Sequence, residues 1–396
     1  MKNTLALRAR RILTLADATP ATRRNELLAP LSFFDDAVLV CRNGLVLAVE
    51  TYAQFRRRAG IPLTDLGDAS LVPGLINAHS HLEFAFLHNK SCLGQGFAAW
   101  AKALPRTRQP RTQQNAMYAA AEAMAANGLV HVGDICAKAP VIQAGAFFNA
   151  GLEASFFIEA FGFQSYDSPA LLRAALFAEI PPYLQAACAL SGHALFSTHP
   201  QTLRQALQDC CERGKIFSIH LAEHEDELAC LLDGSGPLAE LLRERSVWPQ
   251  NFVPPGKRPI ILAHELGLLG KNTLAVHCVH CNNEEAALLA ASQTRLCLCP
   301  RSNSAIGVGG QAPVQALIDA GVLLCLGTDS LASNSDLDLW NEARALRKIC
   351  MLPDRALLRM MTINAAHALQ RFELGRLAPG CRAAWAVLPD DFSLNL

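Results

Sequence analysis

The sequence lacks an excess of charge of either sign. Its 396 residues carry 35 basic and 35 acidic side chains, so the formal net charge is zero. It also lacks a dense stripe of lysine and arginine, the feature with which proteins bind phosphate backbones. These absences argue against a nucleic-acid-binding protein. We expect a small-molecule substrate as the partner, and a homodimer is left open as an assembly.

Long apolar runs are absent as well. The first twenty residues are basic but contain no continuous apolar segment followed by a small-residue cleavage site, so no signal peptide is expected. An uncharged stretch over residues 181–202 contains three prolines and several polar residues, which disfavour a membrane-spanning helix. We therefore expect a cytoplasmic protein without a membrane span.

The fourteen cysteines do not have the spacing of a small disulfide-rich domain, because they are scattered through a large chain. Reduced thiols fit this distribution better. Cys278 and Cys281, followed by Cys297 and Cys299, offer an alternative as a structural zinc site. That alternative is disfavoured because the second pair is too closely spaced and lies in an apolar alternation typical of a buried strand.

The organisation of the chain changes after Pro73 and Gly74. The preceding residues have the pattern of short β-segments, at 6–15, 37–40 and 45–51. Apolar runs then alternate with helical stretches, which is typical of a parallel sheet with crossover helices. Eight runs predict strands, at residues 75–78, 129–134, 154–158, 194–198, 216–219, 274–276, 296–298 and 322–326. Helical periodicity marks residues 113–127, 202–213, 284–291 and 313–320.

This alternation predicts an α/β fold with a (β/α)8 TIM barrel over residues 71–374. Residues 1–70 and 375–396 are predicted to form a small satellite domain, a reduced β-sandwich, beside the barrel. The longest insertion, residues 228–269, is predicted to be an elaborated loop over the barrel mouth.

Polar residues follow most of the predicted strands directly. Because the carboxyl ends of the strands carry the active site in a TIM barrel, these residues are candidates for function. They are His79 and His81 after the first strand, Glu159 after the third, His199 after the fourth, His220 after the fifth, His277 after the sixth and Asp329 after the eighth. No role is assigned to His88, His131, His193, His224, His264 or His367.

A metal site is the chemistry that these residue types favour. His79 and His81 are two residues apart on a strand, so both side chains can turn toward one point. A third imidazole from His220 and one oxygen from Asp329 would leave a coordination position open for water, as in a catalytic site. Three nitrogens and one oxygen suit one divalent cation, either Zn(II) or Fe(II).

Four segments resemble the amidohydrolase superfamily, in its cytosine deaminase and chlorohydrolase-like branch. In chain order they are LVPGLINAHSHLEF, SIHLAEHEDEL, LAVHCVHCNNEE and LCPRSNSAIGVGGQAPVQALIDAGVLLCLGTDSLASN. The similarity runs from about residue 71 to about residue 377. It implies a metal-dependent hydrolase of carbon–nitrogen bonds whose ligands are His79, His81, His220 and Asp329.

The resemblance also allows the number of metal ions to be predicted. Binuclear relatives use a bridging lysine at the end of strand four, whereas this chain has no lysine between Lys138 and Lys215. A mononuclear centre is therefore expected, with Zn(II) favoured over Fe(II). After residue 380 such relatives continue with several more strands, so the satellite sheet here should be built mainly from the amino-terminal segment.

Catalytic roles follow from the same resemblance. Glu223, three residues after His220, corresponds to the acid that protonates a ring nitrogen of the substrate; a helix-start carboxylate is the alternative. His277 would orient the attacking water or the developing oxyanion, with His280 as its rival. Asp329 would both bind the metal and accept a proton from the water.

The substrate is narrowed by one departure from the branch. Relatives that deaminate adenosylhomocysteine or methylthioadenosine carry a Pro-x-Glu segment whose carboxylate binds the ribose, and residues 105–108 here are Pro-Arg-Thr-Arg. Residues 97–100, 156–163 and 327–334 look more like aminodeoxyfutalosine deaminases of the alternative menaquinone route. We therefore expect deamination of aminodeoxyfutalosine or a related adenosine derivative. The expected substrate contacts are Glu159, His199, Trp100 and Ser330, and Glu159 is left open as a residue that instead orients a metal ligand.

Two other functions are left open. The same attack by water could release a different leaving group from a cyclic amide, a guanine-like ring or a chlorotriazine, which would make the protein another amidohydrolase or chlorohydrolase. The second alternative is a barrel that binds a ligand without catalysing a reaction. It is disfavoured because binding alone does not need Glu223 beside four metal ligands.

Overall fold

The computed structural model describes residues 4–58, 60–90, 93–104 and 110–393. The strands are β1 (Thr4–Leu13), β2 (Phe33–Arg42), β3 (Leu45–Thr51), β4 (Leu63–Asp65), β5 (Ser70–Pro73), β6 (Leu75–Ser80), β7 (Leu129–Cys136), β8 (Glu153–Ala160), β9 (Cys188–Gly192), β10 (Phe217–Leu221), β11 (Thr273–His277), β12 (Arg295–Leu298), β13 (Leu323–Leu326) and β14 (Trp385–Val387).

The helices lie mainly after residue 96. They are α1 (Arg24–Leu27), α2 (Tyr52–Phe55), α3 (Phe97–Ala103), α4 (Pro110–Ala126), α5 (Val141–Asn149), α6 (Pro169–Leu176), α7 (Pro182–Gln185), α8 (Pro200–Glu212), α9 (Glu225–Leu232), α10 (Gly236–Glu244), α11 (Pro259–Glu265), α12 (Asn283–Ala291), α13 (Pro300–Ile306), α14 (Val314–Ala320), α15 (Leu339–Cys350), α16 (Asp354–Met361) and α17 (Ile363–Ala368). A 3₁₀ helix, Leu82–Leu87, follows β6.

Both ends of the chain contribute to one six-stranded sheet. Its order is β14-β5-β1-β2-β3, and β4 also pairs with β1. The turn between β2 and β3 is tight because Asn43 and Gly44 both adopt positive φ, at 53° and 77°, as a two-residue hairpin requires. A second sheet packed on this one is not among the described strands, so the predicted β-sandwich is not confirmed.

Eight parallel strands, β6 to β13, form the centre of the molecule. They are hydrogen-bonded in two groups of four, in the orders β6-β7-β8-β9 and β10-β11-β12-β13. At one junction the His220 amide donates to the His193 carbonyl at 2.9 Å, and at the other the Thr328 amide donates to the His79 carbonyl at 3.1 Å. The strands therefore form a closed ring, in an arrangement of the TIM-barrel type.

The position of strand four differs from the prediction. The apolar run at 194–198 was expected to be this strand, but β9 occupies Cys188–Gly192 instead, and residues 194–198 form turns. Both segments are apolar and buried, so burial pattern alone could not tell strand from loop. The other seven predicted runs overlap β6, β7, β8 and β10 to β13, and the four predicted helices overlap α4, α8, α12 and α14.

The insertion at 228–269 covers the barrel mouth as predicted, and it is largely helical. It contains most of α9, then α10 and α11. The Arg245 guanidinium, just after α10, donates to the Ala101 carbonyl in α3 at 3.0 Å, and the Trp248 indole donates to the Phe196 carbonyl at 2.7 Å. These bonds attach the insertion to the loops around the mouth.

Among the described residues, not one helix has the length and the apolar character needed to cross a bilayer. The thirteen cysteines of this part of the chain are all free, and most are buried. The four-cysteine alternative finds no support there, because the clusters that could hold a metal contain histidine and glutamate instead.

Candidate metal centre and active site

A cavity of about 370 Å³ opens at the carboxyl ends of the barrel strands. Its floor is polar and contains histidines and carboxylates from several strand ends, whereas its wall is mostly apolar and aromatic. The wall side chains include Phe84, Phe97, Trp100, Phe161, Phe196, Leu238, Leu241 and Leu242. The last three belong to α10, so the insertion closes one side of the site.

Three imidazoles converge on one point of the floor. One ring nitrogen from each of His79, His81 and His220 lies within 4.8 Å of the other two, and all three residues are buried. The Nε2 atoms of His81 and His220 face each other at 3.2 Å, and the buried Nε2 atom of His79 has no hydrogen-bond partner. Buried ring nitrogens that face one another without partners fit a metal ion between them.

The fourth donor of this cluster is Asp329, which follows β13. Its Oδ1 atom lies 3.8 Å from His79 Nε2 and 3.7 Å from His81 Nε2. Its Oδ2 atom accepts hydrogen bonds from the hydroxyls of Ser302 and Ser333. Because Oδ2 is occupied, the carboxylate presents Oδ1 to the histidines. The backbone of Asp329 has a φ of 57°, a strained value that is common at functional sites.

The orientation of His220 is determined by its other ring nitrogen. Nδ1 lies 3.0 Å from the carbonyl oxygen of His193, which can only accept. Nδ1 therefore carries the proton, and Nε2 keeps a lone pair directed at the cluster. The four predicted ligands thus meet at one place with the donor atoms that a mononuclear site needs.

Glu223 lies on the cavity floor, and only 5% of the residue is exposed. Its backbone amide donates to Glu227 Oε2 at 2.8 Å, which orients the turn between β10 and α9. Burial, reinforced by the nearby charges of Asp329 and Glu227, raises the pKa of Glu223 well above its usual value. This shift favours the protonated form of the carboxyl group, which is the form that can donate a proton.

The fold distinguishes His277 from its rival His280, because only His277 lines the cavity. His277 lines the cavity, with Nδ1 2.9 Å from Asn303 Oδ1 and Nε2 3.7 Å from Glu223 Oε1. Burial lowers the pKa of His277 to about 4, although Asp329 acts in the opposite direction, so the ring is neutral. His280 instead directs Nε2 to the Val308 carbonyl at 2.7 Å and does not line the cavity.

The predicted substrate contacts do not all reach the cavity. Glu159, Trp100 and Ser330 line it, and the Trp100 indole is held by the Ala332 carbonyl at 2.9 Å. His199 does not line it. Because strand four ends at residue 192, His199 lies beyond the strand end and caps α8, where its Nδ1 accepts from the Gln201 amide.

The residue that follows strand four is His193, to which the sequence analysis assigned no role. It lines the cavity and forms a second close group with Glu159 and His220. The sequence did indicate this position, because His193 directly follows the apolar run that forms β9. Glu83, two residues after His81, also lines the cavity. Residues 105–108, where a ribose-binding carboxylate was expected and not found, lie outside the described residues.

Two residues of α13 were also missed. Ser302 holds Asp329, and Asn303 holds His277, so one helix end orients a ligand and a catalytic candidate together. Both occur in the segment LCPRSNSAIG. Nothing in one sequence indicates that these side chains point to the metal cluster, because the contact joins residues about 26 positions apart.

The chain is similar to curated deaminases and to solved barrel structures. It is 28% identical to a 5-methylthioadenosine/S-adenosylhomocysteine deaminase of Haloarcula marismortui over 351 residues, 83% of this chain and 74% of that protein. Helicobacter pylori aminofutalosine deaminase has a TM-score of 0.82 at 21% identity, over 98% of this chain and 94% of that one. An adenosine deaminase of Xanthomonas campestris with bound zinc has a TM-score of 0.77 at 21% identity, over 98% and 87%.

These structural similarities, at their low identity, concern the fold. The family is shown by a sequence profile described as "Amidohydrolase family", which matches residues 70–394 and so covers most of the chain. The match includes every residue of the cavity floor described above. The protein is a hydrolase acting on carbon–nitrogen bonds and belongs to the amidohydrolase family.

Proposed function

We propose that the protein is a metal-dependent deaminase that releases ammonia from an aminated purine nucleoside, with aminodeoxyfutalosine or a related adenosine derivative as substrate. The observation that carries this proposal is the buried carboxyl of Glu223, whose pKa is raised, beside a convergent set of metal donors. Ring deamination needs both an attacking water and a proton for the ring nitrogen. The names of the similar deaminases point to the same class of substrate.

The metal would be held by His79, His81, His220 and Asp329. This donor set of three imidazoles and one carboxylate suits Zn(II), and Fe(II) is the alternative. The bound ion supplies a water molecule whose pKa is lowered toward neutrality.

The residues of the chain supply the proton transfers. Glu223 donates its proton to a ring nitrogen, and the Asp329 carboxylate accepts a proton from the attacking water. The Asn303 amide oxygen accepts the Nδ1 proton of His277. The Nε2 atom of His277 therefore keeps a lone pair and can accept a hydrogen bond from the same water. The water oxygen bonds to the amidine-like carbon, and the proton taken up by Asp329 passes to the exocyclic amine. As the carbon–nitrogen bond breaks and ammonia leaves, the remaining hydroxyl proton passes to the Glu223 carboxylate and a carbonyl remains, so both carboxyl groups regain their starting states.

The cavity also suits a flat heterocycle. Aromatic rings such as Trp100 and Phe161 can contact a purine, and Ser330 offers a hydroxyl at the floor. Burial raises the pKa of Glu159 to about 8, with the neighbouring Glu83 adding to the effect. A neutral Glu159 could donate a hydrogen bond to the substrate. We assign Glu159, Trp100 and Ser330 as substrate contacts, with His193 in the position expected for His199.

The remaining assignments concern the whole chain. We propose that residues 71–374 form the catalytic barrel and that residues 1–70 with 375–396 form a small β domain that supports it. The free cysteines fit a reducing compartment, and we propose the cytoplasm.

The test is an incubation of the zinc-loaded protein with a panel of adenine nucleosides, including aminodeoxyfutalosine and 5′-methylthioadenosine. Ammonia release and loss of the adenine absorbance are measured together, and both are expected for at least one nucleoside. If no aminopurine yields ammonia while a cyclic amide or a chlorotriazine is hydrolysed, the deaminase assignment is wrong and the alternative hydrolase replaces it. Turnover of none of them would favour a silent barrel.

A further inference from the structure

A second cavity, of about 790 Å³, lies at the amino ends of the barrel strands, on the face opposite the metal centre. Its lining includes Lys271 just before β11, Arg295 at the start of β12 and Leu323 at the start of β13. In barrels of this type the amino-terminal face is the structural face. A large cavity lined by several basic side chains there is therefore not explained by the proposed deaminase activity.

Arg295 is the most informative residue of this second cavity. Only 8% of the residue is exposed, and the structure gives its guanidinium a single hydrogen bond, from Nη1 to the Ala368 carbonyl at 3.3 Å. Within the described ranges it has no ion pair with a carboxylate. A buried guanidinium without an opposite charge is costly, and it retains several N–H donors for a ligand.

The other charged side chains of the lining have the same sign. Lys271 and Arg23 are exposed at the rim, and His367 contributes an imidazole whose buried Nδ1 atom has no hydrogen-bond partner. No aspartate or glutamate is among the described lining residues.

Two acidic residues near this cavity have identified partners. Glu26 accepts hydrogen bonds from the backbone amides of Thr22 and Arg23, each at 3.0 Å. Asp319, in α14, lies 3.6 Å from Arg24. Neither compensates Arg295 or Lys271, so the cavity has a local excess of positive charge in a protein whose formal net charge is zero.

We propose that this second cavity is a binding site for a multiply charged small anion of the phosphate class. Arginine and lysine together are the side chains that bind phosphate oxygens, the arginine through a planar set of donors. A structural role alone explains less. The bond from Arg295 to Ala368 caps the end of α17, but it leaves the convergence of Lys271, Arg23 and His367 without a reason.

The experiment is isothermal titration of the full-length protein with inorganic phosphate and, separately, with ribose 5-phosphate, against sodium chloride at equal ionic strength. Saturable binding of at least one phosphate probe is expected. Lys271→Met should weaken it tenfold or more, because a rim charge is removed without touching the buried packing. Lys348, an exposed lysine of α15, does not line this cavity, so Lys348→Met is the matched control and should bind like the parent.

The Arg295→Met variant tests the buried cation. Its thermal unfolding midpoint, compared with that of the parent, separates a folding defect from weaker phosphate binding. His220→Ala should still bind phosphate, which distinguishes this cavity from the metal centre. The proposal is overturned if no saturable binding occurs, if Lys271→Met and Arg23→Gln both bind like the parent, or if His220→Ala abolishes binding. Binding of inorganic phosphate alone would identify a free-ion site, and preference for ribose 5-phosphate would identify an organic phosphate.

Discussion

Replacement of Glu223 by glutamine removes a proton donor while keeping the size of the side chain. Glu223 is 5% exposed, so water cannot readily take its place as the acid. Loss of a positioned general acid reduces rates by about 10²- to 10⁴-fold. Since each tenfold change corresponds to about 1.4 kcal/mol, the barrier should rise by about 3 to 5 kcal/mol.

The metal centre should survive this change. The nearest catalytic group to Glu223 is His277 Nε2 at 3.7 Å, and the bond from the Glu223 amide to Glu227 does not involve the altered side chain. Metal content by elemental analysis and the thermal unfolding midpoint should therefore stay close to those of the parent, while kcat/KM for ammonia release falls.

Glu225→Gln is the matched control for this prediction. Glu225 is a carboxylate two residues further along the same segment, but it is exposed at the start of α9. Parental kinetics are expected for it. If Glu223→Gln kept full activity, or lost no more than Glu225→Gln, then Glu223 would not be the acid.

Three further predictions concern a ligand, an orienting residue and a structural ion pair. His220→Ala should lose the metal, and elemental analysis of a fully loaded variant would contradict the ligand set. Asn303→Leu should lower kcat about 10- to 100-fold at unchanged metal content, because the His277 tautomer is no longer held; an unchanged kcat would refute this role. Asp209→Asn should lower the free energy of unfolding by about 3 kcal/mol in chemical denaturation, because it breaks the bidentate contact with Arg173, and Glu212→Gln on the same helix should be neutral. Burial raises the pKa of Asp209, but the bonds from Arg173 and Arg213 outweigh it and lower this pKa below 3.8. The stabilisation by this ion pair is therefore complete above pH 3.8 and is lost as the pH falls through the lowered pKa. Equal acid sensitivity of the parent and Asp209→Asn would contradict this prediction.

Much of the barrel was predictable because its strands are short apolar runs that end in polar residues. His79, His81, His220, His277 and Asp329 all lie within three residues after the end of a predicted run, and parallel strands bring their carboxyl ends to one face. The family resemblance added roles to these positions. Neither source required knowledge of side-chain packing.

The errors have a common physical origin. Residues 188–192 and 194–198 are both buried and apolar, and only pairing with β8 decides which of them is the strand. Choosing the wrong run assigned a pocket role to His199 and none to His193. The alternative zinc site of four cysteines also depended on tertiary contacts. Only the fold shows that no described cysteine belongs to a candidate metal cluster.

The alternation of strands and helices and the residue types at most strand ends could be predicted from the sequence alone, because both are properties of short contiguous segments. Contacts between distant segments could be identified only in the folded protein. Asn303 meets His277, Ser302 meets Asp329, and the buried Arg295 meets no carboxylate in the part of the chain described. The direction of the pKa shift follows from the same contacts, because burial beside other carboxylates, and not residue identity, raises the pKa of Glu223.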